Sequence, residues 1–190
     1  FCACNGEKST SETTSTITDS VTTTTTPDTA SKSTALDTTS NNAGSQMVDQ
    51  STKDFVAEAA TGGLMEVELG NLALQKGNSQ QVKDFGKMMV DDHTNANDNL
   101  KAIATKKNID VPAAITDDQK KEMDDISKKS GADFDKAYVD MMVDDHKKDV
   151  DAFKKASGNL SDNDIKNFAT TTLPTLQKHL DAIQAIKAKM

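Results

Sequence analysis

From Met47 to Met190 the apolar residues recur every three or four positions and nowhere alternate, so helices are the only regular structure open to this stretch. Glycine and proline cut it into segments. The first, about Ser51 to Lys76, puts Phe55, Ala59, Gly62, Glu66, Leu69 and Ala73 on one face and stops at Gly77. The second, about Ser79 to Lys107, aligns Val82, Phe85, Met89, His93, Ala96, Leu100 and Ile103, and Pro112 marks the loop that follows. A third long segment, about Ala132 to Ala156, aligns Phe134, Tyr138, Met142, His146, Val150 and Phe153, with Gly158 as its expected end. The last begins at Ser161 with Asp164 in capping position. Ile165, Phe168 and Ala169 lead to Leu173-Pro174, where a kink or fresh helix start is expected, and Leu176, His179, Leu180, Ile183 and Ile186 continue the stripe. A short helix from Thr116 to Lys129, opened by a Thr116/Gln119 capping box, offers only Met123 and Ile126 as a face. It is expected to lie as a connector across the end of the bundle. Four long segments with short connections predict an all-α fold, an antiparallel four-helix bundle over residues 47–190.

Within that pattern the hexapeptide Met-Met-Val-Asp-Asp-His occurs twice, ending at His93 and at His146. The chain has only three histidines, and the third, His179, sits on the last stripe. His93 and His146 each follow an apolar-face methionine by four residues, and His179 lies between Leu176 and Ile183, so all three turn inward. Glu66 shares the inward face of the first helix, whereas Glu68 falls about 200° away and is expected in solvent. A carboxylate buried without a partner is costly and tends to neutralise. A cation held by Glu66, His93, His146 and His179 would resolve that cost. An imidazole-rich donor set suits one transition-metal ion: Zn, Fe, Cu or Ni. Asp92 and Asp145, each preceding a histidine, are placed to orient a ring on an adjacent helix. The methionines Met65, Met88, Met89, Met141 and Met142 read as core filler, with soft ligation of Cu(I) as the other possibility. The Lys/Asp pattern after His146 reads as a solvated face, and Gly62-Gly63 as a point of close helix contact.

Residues 1–46 are a different kind of chain. From Ser9 to Ser45 about 22 of the 37 residues are Ser or Thr, too few apolar groups to offset the entropy of ordering, so this tract is expected to be a disordered linker. The cysteines, Cys2 and Cys4, are too close in sequence to pair readily with each other. Phe1-Cys2-Ala3-Cys4 instead resembles the end of a bacterial lipoprotein signal, with Cys4 as the lipidated residue and the linker as tether to a membrane. The expected location is the bacterial cell envelope, as a periplasmic or outer-membrane lipoprotein. The formal charge of −8 argues against a nucleic-acid surface, and no run approaches the ~20 apolar residues of a membrane span.

Four blocks also carry a family resemblance. Phe55-Val-Ala-Glu-Ala-Ala-Thr-Gly-Gly-Leu-Met-Glu66-Val-Glu-Leu-Gly70, Met88 to His93, Phe134-Asp-Lys-Ala-Tyr138 to His146, and Leu173-Pro-Thr-Leu-Gln-Lys-His179-Leu180 follow in order over nearly all of Lys53–Ile186. They resemble a bacterial family of unknown function whose members are labelled predicted outer membrane proteins and are placed among ferritin-like bundles. The resemblance implies a ferritin-like bundle in a secreted or lipid-anchored protein, and its pattern of one glutamate and three histidines falls on Glu66, His93, His146 and His179. It supplies no established activity. The chain lacks the Glu-x-x-His pairs of carboxylate di-iron bundles, which argues against ferroxidase chemistry by that route.

The residues thus favour an envelope-tethered bundle that binds a metal ion, for binding, sensing or storage more than turnover. Four protein ligands would leave little room for substrate. The alternative is a metal-free structural or protein-interaction module whose buried Glu/His network fixes helix packing. A hydrolase with histidine as base lacks a nucleophile at suitable spacing. The sequence names no protein partner and no oligomeric state.

Overall fold

The computed structural model describes residues 48–190. Met47, the Ser/Thr-rich tract and the Cys2/Cys4 motif lie outside the described residues. Among the described residues there are five α-helices and no strand: α1 (Gln50–Lys76), α2 (Gln80–Lys106), α3 (Asp117–Ser127), α4 (Gly131–Asn159) and α5 (Asn163–Lys187). None is long and apolar enough to cross a membrane.

Local chemistry sets most of the ends. Asp49 and Ser79 accept from the amides of Thr52 and Val82 and so cap α1 and α2. The expected capping box at Thr116 and Gln119 forms in full. Asn108, at φ 53°, ends α2: its amide donates to Thr105 O and that of Ile109 to Ala104 O, the left-handed termination that Asn tolerates. The cap of α5 is Asp162, whose carboxyl accepts from the amides of Asp164 and Ile165; Asp164 lies inside the first turn. The expected end at Gly158 does not occur, and neither does a fresh helix start at Pro174. α4 runs through Gly158 to Asn159, and α5 continues through Pro174 as one helix. Propensity at one position is a weak term beside the burial of a whole helical face.

Three-residue connections make α1/α2 and α4/α5 antiparallel hairpins. Across the hairpins, Phe55 meets Phe153, Glu66 meets His146, and Asp135 accepts from the amides of Asn78 and Ser79, so α1 runs antiparallel to α4. On the other side His179 meets Asp92, and Lys107 meets Asp162 and Asp164, which makes α5 antiparallel to α2. The diagonal pair α2 and α4 is parallel, as Phe85 touches Tyr138 and His93 touches His146. A parallel pair needs a crossover the length of the bundle. Residues 107–130 supply it. Ile109 joins the apolar cluster that holds Phe55, Val56 and Leu160, whereas Ile115 and Ile126 join the one that holds Met65 and Leu69. The Lys76 ammonium donates to Ser127 O where the crossover finishes. The short helix α3 therefore lies lengthwise against α1 and α4, not across the bundle's end. Its thin apolar face is what a groove between two helices requires.

The core divides into two apolar clusters. One holds Leu69, Val82, Phe85, Met89, Phe134, Tyr138, Met142 and Ile183; the other holds Phe55, Val56, Leu100, Phe153, Ile165, Phe168 and Leu176. Glu66, His93, His146 and His179 are buried where the two meet. Close helix contact falls on glycines, at Gly63 of the expected pair and also at two positions not singled out by the sequence. A methyl at Gly70 would lie 2.6 Å from Gly86 O, and one at Gly86 would lie 2.8 Å from Gly70 O, so α1 and α2 touch backbone to backbone. Gly63 faces Asn97, and Gly62 has more room.

Candidate metal centre

Each of the four long helices contributes one buried polar side chain to the layer between the clusters: Glu66 from α1, His93 from α2, His146 from α4 and His179 from α5. The three imidazole centroids are 5.7, 5.3 and 5.4 Å apart. One ring nitrogen from each histidine lies within 4.8 Å of the other two. Phe85 covers the rings of His146 and His179 at 5.9 and 6.4 Å and closes the site on the side of the first cluster.

In every ring one nitrogen is anchored and the other is bare. His146 Nδ1 sits 2.9 Å from Met142 O, and because a carbonyl can only accept, that nitrogen carries the proton and Nε2 keeps its lone pair. His179 Nε2 is 2.8 Å from Asp92 Oδ2, and His93 Nδ1 is 2.8 Å from Glu66 Oε2. The opposite atoms, His93 Nε2, His146 Nε2 and His179 Nδ1, are buried with no hydrogen-bond partner among the described residues, and so is Glu66 Oε1. Glu66 Oε1 lies 3.4 Å from His146 Nε2. Metal-ligating histidines usually have their second nitrogen hydrogen-bonded to a carboxylate or carbonyl, which holds the ring and its tautomer. The buried His/Glu cluster could hold a metal ion.

Asp92 stands where it orients the ring of His179. Asp145 does not reach a histidine. It lies about 100° round α4 from His146, and Lys148 takes its carboxyl at 3.2 Å. Asp149, one of the acids expected on a solvated face, instead stands beside the site. Asp149 forms a second possible donor group with Glu66 and His146, their ligand atoms within 4.8 Å of one another. The signal was present in the spacing, since Asp149 stands three residues after His146 and four before Phe153, on the edge of the inward face. The methionines are core: Met65, Met89 and Met142 are buried in the first cluster, with Met88 and Met141 at its edge.

Burial dominates the electrostatics. It pushes Glu66 up to about 8, against the influence of neighbouring Asp149. Burial and the charge of Glu66 raise Asp149 well above the usual carboxyl range. Burial lowers His93 to about 4 and His146 to about 3, the latter helped by the other two histidines, and it also lowers His179. Without metal the site is therefore a neutral assembly near pH 7. Histidines depressed in the fold contribute stability that is complete above about 6.5 and lost as pH falls toward 4 and 3. Carboxyls raised in the fold contribute stability that is complete below about 4 and lost as pH rises toward 8. The metal-free protein is expected to be most stable between about pH 4.5 and 6.5 and to weaken by pH 8. Urea unfolding across that range, with Glu66→Gln/Asp149→Asn flattening the alkaline limb, is the check. Equal wild-type stability at pH 6 and pH 8 would contradict the burial of these carboxyls.

Comparison with known proteins places the fold and leaves the chemistry open. A sequence model of the family described as "Domain of unknown function (DUF4142)" matches residues 37–186. That description names neither an activity nor a compartment. The crystal structure of a DUF305 fragment from Deinococcus radiodurans is similar, with a TM-score of 0.66 and 9% identity over 75% of this chain and 99% of that one. At that identity the likeness shows a shared helical, ferritin-like type of fold and nothing more. No curated protein matches the chain.

Proposed function

The chain belongs to the DUF4142 family of domains of unknown function, and from that premise we propose that it binds one transition-metal ion within its bundle, through His93, His146, His179 and Glu66. The observation that carries this reading is the set of bare nitrogens. A network built only to fix helix packing would be expected to satisfy its members, because a buried donor or acceptor left unpaired costs about 1–3 kcal/mol. Here three ring nitrogens and one carboxyl oxygen are buried together without hydrogen-bond partners, while the opposite atoms of the same groups are anchored. Of these, His146 Nε2 keeps its lone pair because Nδ1 donates to Met142 O, and a cation would displace the carboxyl protons of Glu66 and Asp149 to complete the set.

Three imidazoles with one carboxylate suit Zn, Fe, Cu or Ni better than Mg or Ca. Glu66 Oε2 holds the His93 ring, while its Oε1 lies 3.4 Å from His146 Nε2, beside the trihistidine group and within reach of an ion at His146. A cavity of about 20 Å³ beside Glu66, His93 and Asp149 has room for one water-sized group. With four protein donors and so little free space, the site suits binding, sensing or storage more than turnover.

Metal content after incubation with equimolar Zn, Cu, Fe and Ni, followed by desalting and mass spectrometry, tests the proposal. The full chain is expected to retain about one ion, and His93→Ala/His146→Ala to retain less than about a tenth of that. A wild-type protein that stays metal-free yet unfolds cooperatively would overturn the reading.

A further inference from the structure

The three bare nitrogens and Glu66 Oε1 are sealed inside the bundle, so an ion that reaches them needs a route. Two cavities touch the site: a small one of about 20 Å³ beside His93, and a wider one open to the surface. The wider one lies between α1, α3 and α4, has a volume of about 170 Å³, and is lined by Glu58, Glu122, Asp145, Lys148, Asp149 and Glu66 among others. That is space for about five waters, enough for a partly hydrated ion. Three larger cavities lie elsewhere, and none touches the histidines, Glu66 or Asp149.

We propose that this wider cavity is the loading port for a divalent transition-metal cation. Its outer acids draw the ion in, Asp149 and Glu66 take it up as the ion sheds water and their carboxyl protons leave to solvent through the same cavity, and it passes through His146 to the histidine nitrogens. The proposal rests on the metal reading above and adds the path by which the ion arrives.

Four observations support it, the first three independently of the trihistidine geometry. The lining carries five acids against one lysine, and that lysine already pairs with Asp145 at 3.2 Å. At the inner end, Glu66 is 3% exposed and its Oε1 has no hydrogen-bond partner. Asp149 lines this cavity and also the small one on the far side of Glu66 and His93, so it stands between the passage and the ligands. Finally, the two possible donor groups, His93/His146/His179 and Glu66/His146/Asp149, share His146. Its Nδ1 is committed to Met142 O, which leaves a single lone pair at Nε2. One lone pair cannot hold two ions, so the groups are successive stations for one ion and not two sites filled together. The port also explains the position of α3. Running lengthwise, it lays Gln119 and Glu122 over the groove and makes the outer wall of the passage.

The test is stopped-flow loading of the metal-free full chain with Zn2+, followed by competition with a chromophoric zinc chelator. Glu58→Gln/Glu122→Gln removes two exposed charges at the mouth. Asp98→Asn/Asp181→Asn removes two exposed charges from α2 and α5 as a control for net charge. The mouth variant is expected to load about tenfold more slowly, with a weaker salt dependence and unchanged final stoichiometry. The control should load at close to the wild-type rate. A mouth variant that loads as fast as wild type would overturn the port and leave the metal site standing. A wild-type chain that takes up none of Zn2+, Cu2+, Fe2+ or Ni2+ would overturn the metal reading and the port with it, and if another of these ions is retained in place of Zn2+, the same loading experiment is run with that ion.

Discussion

With free metal about 1,000-fold above its Kd, the unfolding free energy of the wild-type chain is expected to rise by about 4 kcal/mol, and His146→Leu is expected to abolish that rise. The same substitution should make the metal-free protein more stable, by about 1–2 kcal/mol. The opposed signs follow from the position of the ring. His146 is fully buried, its Nε2 has no hydrogen-bond partner, and its surroundings are the rings of Phe85, His93 and His179. Leucine is close to histidine in volume and removes a desolvated nitrogen. Met142 O loses the imidazole proton but keeps its place in the α4 backbone ladder, so no new orphan is made. Urea titration with saturating Zn2+ and with chelator gives all four stabilities. If His146 served only to fix helix register, its loss would weaken the metal-free protein and metal would stabilise neither form. That result would remove the metal proposal.

The second large effect concerns the support of the site. Gly70→Ala and Gly86→Ala should each destabilise the protein by about 2–4 kcal/mol, although glycine to alanine within a helix ordinarily gains up to about 1 kcal/mol. At both positions the added carbon meets backbone: Gly86 O at 2.6 Å from the first, Gly70 O at 2.8 Å from the second, where Ala73 Cβ also stands at 2.8 Å. Backbone cannot rotate aside, so α1 and α2 must separate and loosen Leu69, Ala73, Val82, Phe85 and Met89 around the contact. Gly158→Ala is the matched control. It lies in α4 with nothing within 4 Å of the added carbon, and should be neutral or slightly stabilising. Separation of α1 from α2 would also draw Glu66 from its 2.8 Å contact with His93, so zinc-dependent stabilisation should fall in the Gly70 and Gly86 variants. Unfolding curves that rank these two with Gly158→Ala would mean that the helices do not meet there.

Much of this architecture was legible before any coordinates. The 3.6-residue period placed Phe55, Phe85, Phe134, Tyr138, Phe153 and Phe168 inside, and all six are buried. The same phasing turned Glu66 and the three histidines inward from four different helices. Where local signals were asked for more, they failed in identifiable ways. Gly158 and Pro174 carry breaker chemistry, but each sits in a helix whose buried face extends to both sides, and packing outweighs one residue's propensity. Asp149 was read with its charged neighbours, although its spacing from His146 and Phe153 put it at the edge of the core. The lengthwise crossover was out of reach of periodicity, because it depends on α2 and α4 running parallel.

By itself, then, the sequence determined the helices, their faces and the four inward polar groups, since each is a matter of angle around one helix axis. Only the tertiary structure decided which nitrogen of each ring is bare, that Asp92 holds His179 while Lys148 holds Asp145, and that an acidic passage beneath α3 leads to Glu66. These depend on how far one helix is shifted and rotated against the next. Backbone contacts such as Gly70 against Gly86 set that shift, and no residue encodes it within its own helix.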